Sequence, residues 1–486
     1  MLGDARILAP PTALLAHRMR EPTPALPPPP RVDLFLHEIG DWLMRNQRAI
    51  AAVQWSVVGL YLLLLIVPVL APLPEPGARI WNDVVLFAQF VLWGLWWPLV
   101  LLSMVLVGRA WCGLLCPEGT ITEAVSSRSR GRGIPLWMRW SGWPFVVFAA
   151  TTVYGQMISV YHYPSSALLI LGASTSAAIV TGLLWGRNKR VWCRFLCPVN
   201  GVFGVLAKLA PLHFRVDNAA WDRWNKPRGA TPVVNCAPLV PMRTMKGASA
   251  CHMCGRCSSY RDAITLARRS PNREIVEIAG AEPKPVETVL ILFGLLGIAA
   301  AAFHWPDSEL YLWGKLQLGG WLLRHDWLWP LQGAPWWLLT HHPERGDVMT
   351  LLDGAVLLGY IVLVAAAIGG FAALCLASAS RCIGRWSTRR FHHLVQALIP
   401  LAACGVWLGL SRMTVWLLHD NGLAIAGLMP LRAALLGGAL LWSLWLGWRI
   451  IGRYSQRRWR RLAAMVPFTA AVAMSGAVWA RLFWSF

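Results

Sequence analysis

The stretch VVLFAQFVLWGLWWPLVLLSMVLVGRAWCGLLCP, residues 84–117, decides how the whole chain is read. From Val84 to Gly108 no side chain carries a charge, and about 20 apolar residues cross a bilayer as a helix. The run ends at Arg109 and is followed at once by Trp111-Cys112-Gly113-Leu114-Leu115-Cys116-Pro117. A membrane helix therefore delivers two thiols to a surface. A near-copy, Trp192-Cys193-Arg194-Phe195-Leu196-Cys197-Pro198, follows the apolar run 166–185 and Arg190. A duplicated pair of spans, each ending in one C-x3-C-P, brings two cysteine pairs to the same face. Cysteines four apart share a face if the backbone is helical, and the proline suits the first turn of the next helix.

Working outward, the chain is too apolar for a water-soluble domain: 486 residues, 56% hydrophobic, 14% charged, with 30 tryptophans. Nine apolar runs predict spans at 49–71, 84–108, 141–161, 166–185, 286–305, 350–374, 394–411, 426–450 and 463–485, and a short apolar piece at 201–212 is expected to dip into the interface. The fold class is all-α, a polytopic membrane protein of about nine transmembrane helices with a cytoplasmic, ferredoxin-like cysteine-rich loop. Four segments follow: a flexible Pro-rich tail (1–45), a four-helix membrane unit with both C-x3-C-P motifs (46–212), a cysteine-rich cytoplasmic loop (213–285), and a C-terminal membrane unit of about five helices (286–486). Residues 1–30 contain the run Pro27 to Pro30 and no uninterrupted apolar core, so no cleavable signal is expected there.

The net charge of +22 is placed unevenly. Arg109, Arg128, Arg130, Arg132 and Arg139 follow the second run, Arg187, Lys189, Arg190 and Arg194 the fourth, and further clusters the sixth and eighth. The alternate connections are poor in Lys and Arg. The positive-inside rule then predicts a multi-pass protein of a bacterial inner membrane, with a cytoplasmic N-terminus and a periplasmic C-terminus. Orientation accounts for these arginines, so no nucleic-acid partner is expected.

Eight of the eleven cysteines lie between 112 and 257, all in segments assigned to the reducing side, where clustered thiols are metal ligands sooner than disulfides. Cys251-His252-Met253-Cys254-Gly255-Arg256-Cys257 is a C-x2-C-x2-C tripod, the opening of a bacterial ferredoxin run. The residue where that run places its fourth cysteine is Arg261. Cys236 or one cysteine of the repeats supplies the missing thiolate. Cys112, Cys116, Cys193, Cys197, Cys236, Cys251, Cys254 and Cys257 thus fit two [4Fe-4S] clusters: the tripod and one more thiolate for the first, the remaining four for the second. Four-cysteine zinc sites and dithiol redox pairs use similar spacings, but the tripod argues against the first and the matched copies against the second. Cys375, Cys382 and Cys404 lie in or beside apolar runs and are read as packing.

The duplicated W-C-x3-C-P and the tripod resemble the polytopic membrane 4Fe-4S ferredoxin-type proteins of the NapH, NosR and CcoG kind, over about residues 45–305. The resemblance implies electron transfer between the quinone pool or cytoplasmic donors and a periplasmic reductase, or support of metalloenzyme maturation. NosR-type proteins carry a large flavin-binding region before these motifs; here fewer than 50 residues precede the first run, so flavin is not predicted. The chain is expected to be an electron-transfer component more than a stand-alone enzyme. The alternative is an accessory or sensor protein for metalloenzyme assembly that uses the same clusters.

The rest is less specific. Arg109, Arg190, Arg194, Lys246, Arg256 and Arg261 would raise cluster potentials, but orientation alone explains them first. A bis-histidine haem needs imidazoles at matching depth, and only His304 with His419 come near, so haem b is not favoured. The tryptophan-rich connection 306–349 is expected along the membrane surface or against a partner. Glu287, Asp353, Arg412 and Arg432 sit near run ends, where snorkelling suffices.

Overall fold

The computed structural model describes residues 31–224 and 233–484. The proline run at 27–30 lies outside the described residues. The protein is an all-α polytopic membrane protein: among the described residues, eight helices are long and apolar enough to cross a bilayer. They are α2 (Gln47–Leu70), α3 (Val84–Val107), α7 (Pro164–Trp185), α10 (Pro285–Asp307), α12 (Leu351–Ile383), α13 (Thr388–Asp420), α14 (Leu428–Tyr454) and α15 (Arg458–Trp484). Between them lie α1 (Arg31–Arg45), the short α4 (Ala110–Leu114) and α5 (Pro117–Ser126), α6 (Trp143–Met157), α8 (Val191–Phe195), α9 (Asn200–Leu209) and α11 (Glu309–Arg324).

The run at 141–161, expected as a ninth span, forms only the 15-residue α6. At 1.5 Å per residue it covers about 22 Å. At its start Pro144 packs against Gly201, close to Cys197, and at its end the Met157 carbonyl accepts the Thr340 N–H at 2.9 Å. The helix stops early because Ser159 takes a left-handed φ of 49°, and a turn through Tyr163 leads into Pro164, which opens α7.

Two other expectations are corrected. Residues 31–45, expected as part of the flexible tail, form α1, because Leu36, Ile39 and Leu43 recur at helical spacing and give it an apolar stripe. That stripe covers an antiparallel ribbon of β1 (Leu212–Val216) and β2 (Ile264–Arg268), in register Leu212↔Arg268, and Leu36 packs with Phe214, Ile264 and Leu266. In the apolar piece at 201–212, Val202, Phe203, Val205, Leu206 and Leu209 are buried in the main core. The charges near span ends do not snorkel freely. Glu287 pairs with the buried Lys208, Asp353 is capped by Thr350 and paired with Lys315 at 2.5 Å, and Arg412 reaches Asp307 at 2.7 Å.

The main core runs through α3, α9, α10, α12, α13, α14 and α15, with Trp479 and Phe468 fully enclosed. Cys375, Cys382 and Cys404 pack against it, as the sequence reading expected. Below this core, Arg269 and Glu274 form a buried ion pair, and Glu274 also accepts the Ala248 N–H at 2.9 Å. Removing one member of such a pair leaves a buried charge without its partner, at a cost of about 3–5 kcal/mol. Glu274→Ala is expected to lower thermal stability in detergent by that order, read as loss of monodisperse protein on heating, whereas Glu282→Ala in an exposed pair should leave it unchanged.

Candidate iron-sulfur site

Both motif copies fold in the same way. The N–H groups of Leu115 and Cys116 converge on the Trp111 carbonyl at 2.9 Å each, and those of Leu196 and Cys197 on the Trp192 carbonyl at 2.9 and 3.0 Å. Each copy is one helical turn that breaks at the second cysteine. Cys112 and Cys193 are buried inside α4 and α8, while Cys116 caps α5 with Pro117 at its first position. The Cys116 sulfur accepts the Gly119 N–H at 3.4 Å.

The two copies meet. Cys197 feels the charge of Cys193, Cys116 and Cys112, and Cys116 that of Cys193 and Cys112. The other four cysteines form a second set: Cys257 faces Cys251, Cys254 and Cys236, and Cys251 faces Cys254 and Cys236. Of the two thiols that sequence left open as the tripod's companion, the structure brings Cys236 beside it. The tripod is wound by left-handed backbone at Met253 (φ 55°) and Gly255 (φ 75°), and the Met253 N–H points at the Cys251 sulfur at 3.4 Å. Only glycine adopts such a φ without strain.

The two sets are packed back to back. A Cβ on Gly113 would collide with the His252 carbonyl oxygen and lie 2.8 Å from the Cys254 nitrogen. Around this contact a polar lattice ties the segments. Gln54 donates to the Gly113 carbonyl at 2.8 Å and Gln47 to the Cys254 carbonyl at 3.2 Å. Arg256 donates to Gln47 at 3.0 Å and to Glu123 at 2.5 Å, and Arg190 joins Glu123 at 2.7 Å to the Cys112 carbonyl at 2.5 Å. From α1, Asp41 accepts Ser258 and Ser259 at 2.9 and 2.6 Å.

The donor chemistry fits an iron-sulfur cluster. Burial, then the neighbouring sulfurs and the Glu118 carboxylate, pushes Cys116 and Cys197 well above the ordinary thiol range; Cys193 is pushed up to about 12 despite Arg190. Burial does the same to Cys251, to about 12. Four sulfurs this close ionise together only when a cationic centre shares them. No three His, Cys, Asp or Glu side chains among the described residues close on a point as ligands of a single ion do.

All four cysteines of the first set line a cavity of about 250 Å³. It extends from them between α2, α3, α6, α7, α10 and α13, walled by Tyr61, Trp93, Trp96, Trp97, Trp111 and Tyr161. Trp93 and Trp96 sit in a π-helical stretch of α3, Phe90–Trp96, which turns that wall inward. Glu118 lines it too, accepting the Trp192 indole N–H at 3.0 Å, with its carboxyl pushed up by burial.

Sequence reasoning passed over Glu118 and Glu123, although they are the only acids between Arg109 and Trp140, in a connection otherwise crowded with arginine. His304, weighed with His419 for a haem that is not favoured, sets its ring nitrogens against the Ala300 and Val478 carbonyls at 2.7 and 3.0 Å.

A chain of apolar spans carrying these paired cysteine turns defines a membrane iron-sulfur protein, and likeness to known proteins points the same way. Residues 89–135 and 167–216, the two motif copies, match the model of a family described as a 4Fe-4S binding domain. The chain is 24% identical over 239 residues to the Escherichia coli K12 protein named "Putative electron transport protein YccM", covering 42% of this chain and 65% of that one. No solved structure matches. The first likeness supports iron-sulfur binding by the two cysteine turns.

Because Gly113 holds the two sets in contact, Gly113→Ala is expected to lower iron and acid-labile sulfide in the purified protein by about half or more. Gly133→Ala, in open space on the same connection, should leave both unchanged.

Proposed function

We propose that this chain is an electron relay of a bacterial inner membrane that holds two [4Fe-4S] clusters, one on Cys112, Cys116, Cys193 and Cys197 and one on Cys236, Cys251, Cys254 and Cys257, on the cytoplasmic face. The observation that carries this is the back-to-back contact of the two cysteine sets at Gly113. Each cluster, when bound, supplies one-electron chemistry. The chain's own residues do the rest: the spans fix both sets, the Gln47, Gln54 and Arg190 hydrogen bonds hold them at one spacing, and α1 shields the second set from water.

The membrane-side partner that the geometry favours is the quinone pool rather than a periplasmic reductase. An aromatic cavity opening among membrane helices and reaching the first cysteine set suits a lipophilic ring, and such sites are apolar with few polar groups. The basic connections support a cytoplasmic position for the cysteine-bearing side by the positive-inside rule.

Iron and sulfide analysis with low-temperature EPR tests the reading. The reduced protein should contain about eight irons per chain and two distinct cluster signals. Cys193→Ser should remove one signal and Cys254→Ser the other; zinc without labile sulfide, or one signal lost in both variants, would refute the assignment. For the cavity, Gly155→Leu should slow cluster reduction by a short-chain quinol by about tenfold or more, the loss of about 1.4 kcal/mol of favourable contact, while dithionite reduces it normally.

A further inference from the structure

Arg109 and Arg190 occupy the same place in the two motif copies, three residues before Cys112 and Cys193. Orientation in the membrane explains an arginine at a span end only if the side chain reaches the water or the headgroups. These two do not: they are 4% and 2% exposed, and both turn into the seam between the cysteine sets. Arg190 touches both sides of it. Its Nη1 meets the Cys112 carbonyl at 2.5 Å, its own N–H donates to the Ala237 carbonyl at 2.8 Å beside Cys236, and its charge acts on Cys193 and Cys254. Arg109 does the same from the other copy. Nη1 reaches the Ser249 carbonyl at 3.1 Å, two residues before Cys251, Nη2 reaches Asn200 at 2.7 Å, and its charge acts on Cys193 and Cys251.

A desolvated guanidinium is costly unless an anion offsets it. Only part of that offset is present in the protein. Glu123 takes Arg190 on one carboxylate oxygen and Arg256, which directly precedes Cys257, on the other. One carboxylate thus faces two guanidinium groups, and Arg109 has no carboxylate paired with it among the described residues. The excess positive charge lies where two thiolate-ligated clusters would bring negative charge, and reduction would add more.

We propose that Arg190, with Glu123 as its counter-charge and Arg109 as its counterpart in the repeat, is a charge shared by both cluster sites, so that the two potentials are set together. The inference rests on the two-cluster reading above. Positive charge beside a cluster stabilises its reduced, more anionic form and raises its potential. A cation in the seam does this to both clusters; one lying beside a single cluster would act mainly on that cluster.

The test is an EPR-monitored redox titration of the full-length protein in nanodiscs. Arg190→Gln should lower the midpoint potentials of both clusters, Glu123→Gln should raise both, and Arg190→Lys, which keeps the charge, should leave both close to wild type. A shift confined to one cluster, or shifts of the same sign in Arg190→Gln and Glu123→Gln, overturns the proposal, because simple loosening of the site has no reason to reverse sign with the charge removed. If Arg190→Gln fails to assemble, Glu123→Gln and Arg190→Lys decide by the same criteria. A wild-type protein without two clusters would overturn the parent reading and this proposal with it; intact wild-type signals with the wrong pattern in the variants overturn this proposal alone.

Discussion

The structure depends on one close approach, the backbone of Gly113 against the His252 carbonyl and the Cys254 nitrogen. No residue with a Cβ fits there unless the segments part. Because Gly113 stands between Cys112 and Cys116, and His252 between Cys251 and Cys254, this contact fixes how near the two cysteine sets lie. Much of the surrounding architecture serves to hold it. The spans α3 and α7 bring in the two repeat turns, and α1, locked through Asp41 to Ser258 and Ser259, presses the tripod onto them.

The contact sits in an unusually charged, dry seam. Buried guanidinium groups and carboxylates are tolerated only when paired or hydrogen-bonded, and the Arg256–Glu123–Arg190 chain ends on the Cys112 carbonyl for that reason. The apolar membrane core beside it is built the opposite way, from fully enclosed Leu, Ile and Phe side chains with few polar atoms. Stability comes from the second region and placement of the thiols from the first. Between them lies the aromatic cavity, which touches both the membrane helices and the first cysteine set.

The sequence made some of this legible and hid the rest for physical reasons. Long uncharged runs need no periodicity to be recognised, so the eight spans stood out, while the run at 141–161 overstated a helix that the left-handed turn at Ser159 ends early. The cysteine repeat and tripod were plain from spacing. Which thiol would join the tripod was not, because Cys236 is brought in by the Lys189 and Arg190 hydrogen bonds to the Cys236 and Ala237 carbonyls, contacts far apart in the chain. α1 was obscured because its stripe of Leu36, Ile39 and Leu43 directly follows a proline-rich run. Arg109 and Arg190 were open to two uses, and composition favours the surface one; only burial distinguishes them. Glu123 offered a signal, an acid stranded among arginines, whose partner Arg256 within the tripod no local pattern reveals.

The most direct measurement is an anomalous-difference map at the iron edge from crystals of the anaerobically purified protein. Two separate peaks are expected, one within the Cys112, Cys116, Cys193, Cys197 set and one within the Cys236, Cys251, Cys254, Cys257 set, with Gly113 and His252 between them. A single peak, or iron bound anywhere that leaves either set of sulfurs without it, would contradict a pair of adjacent carriers in this seam.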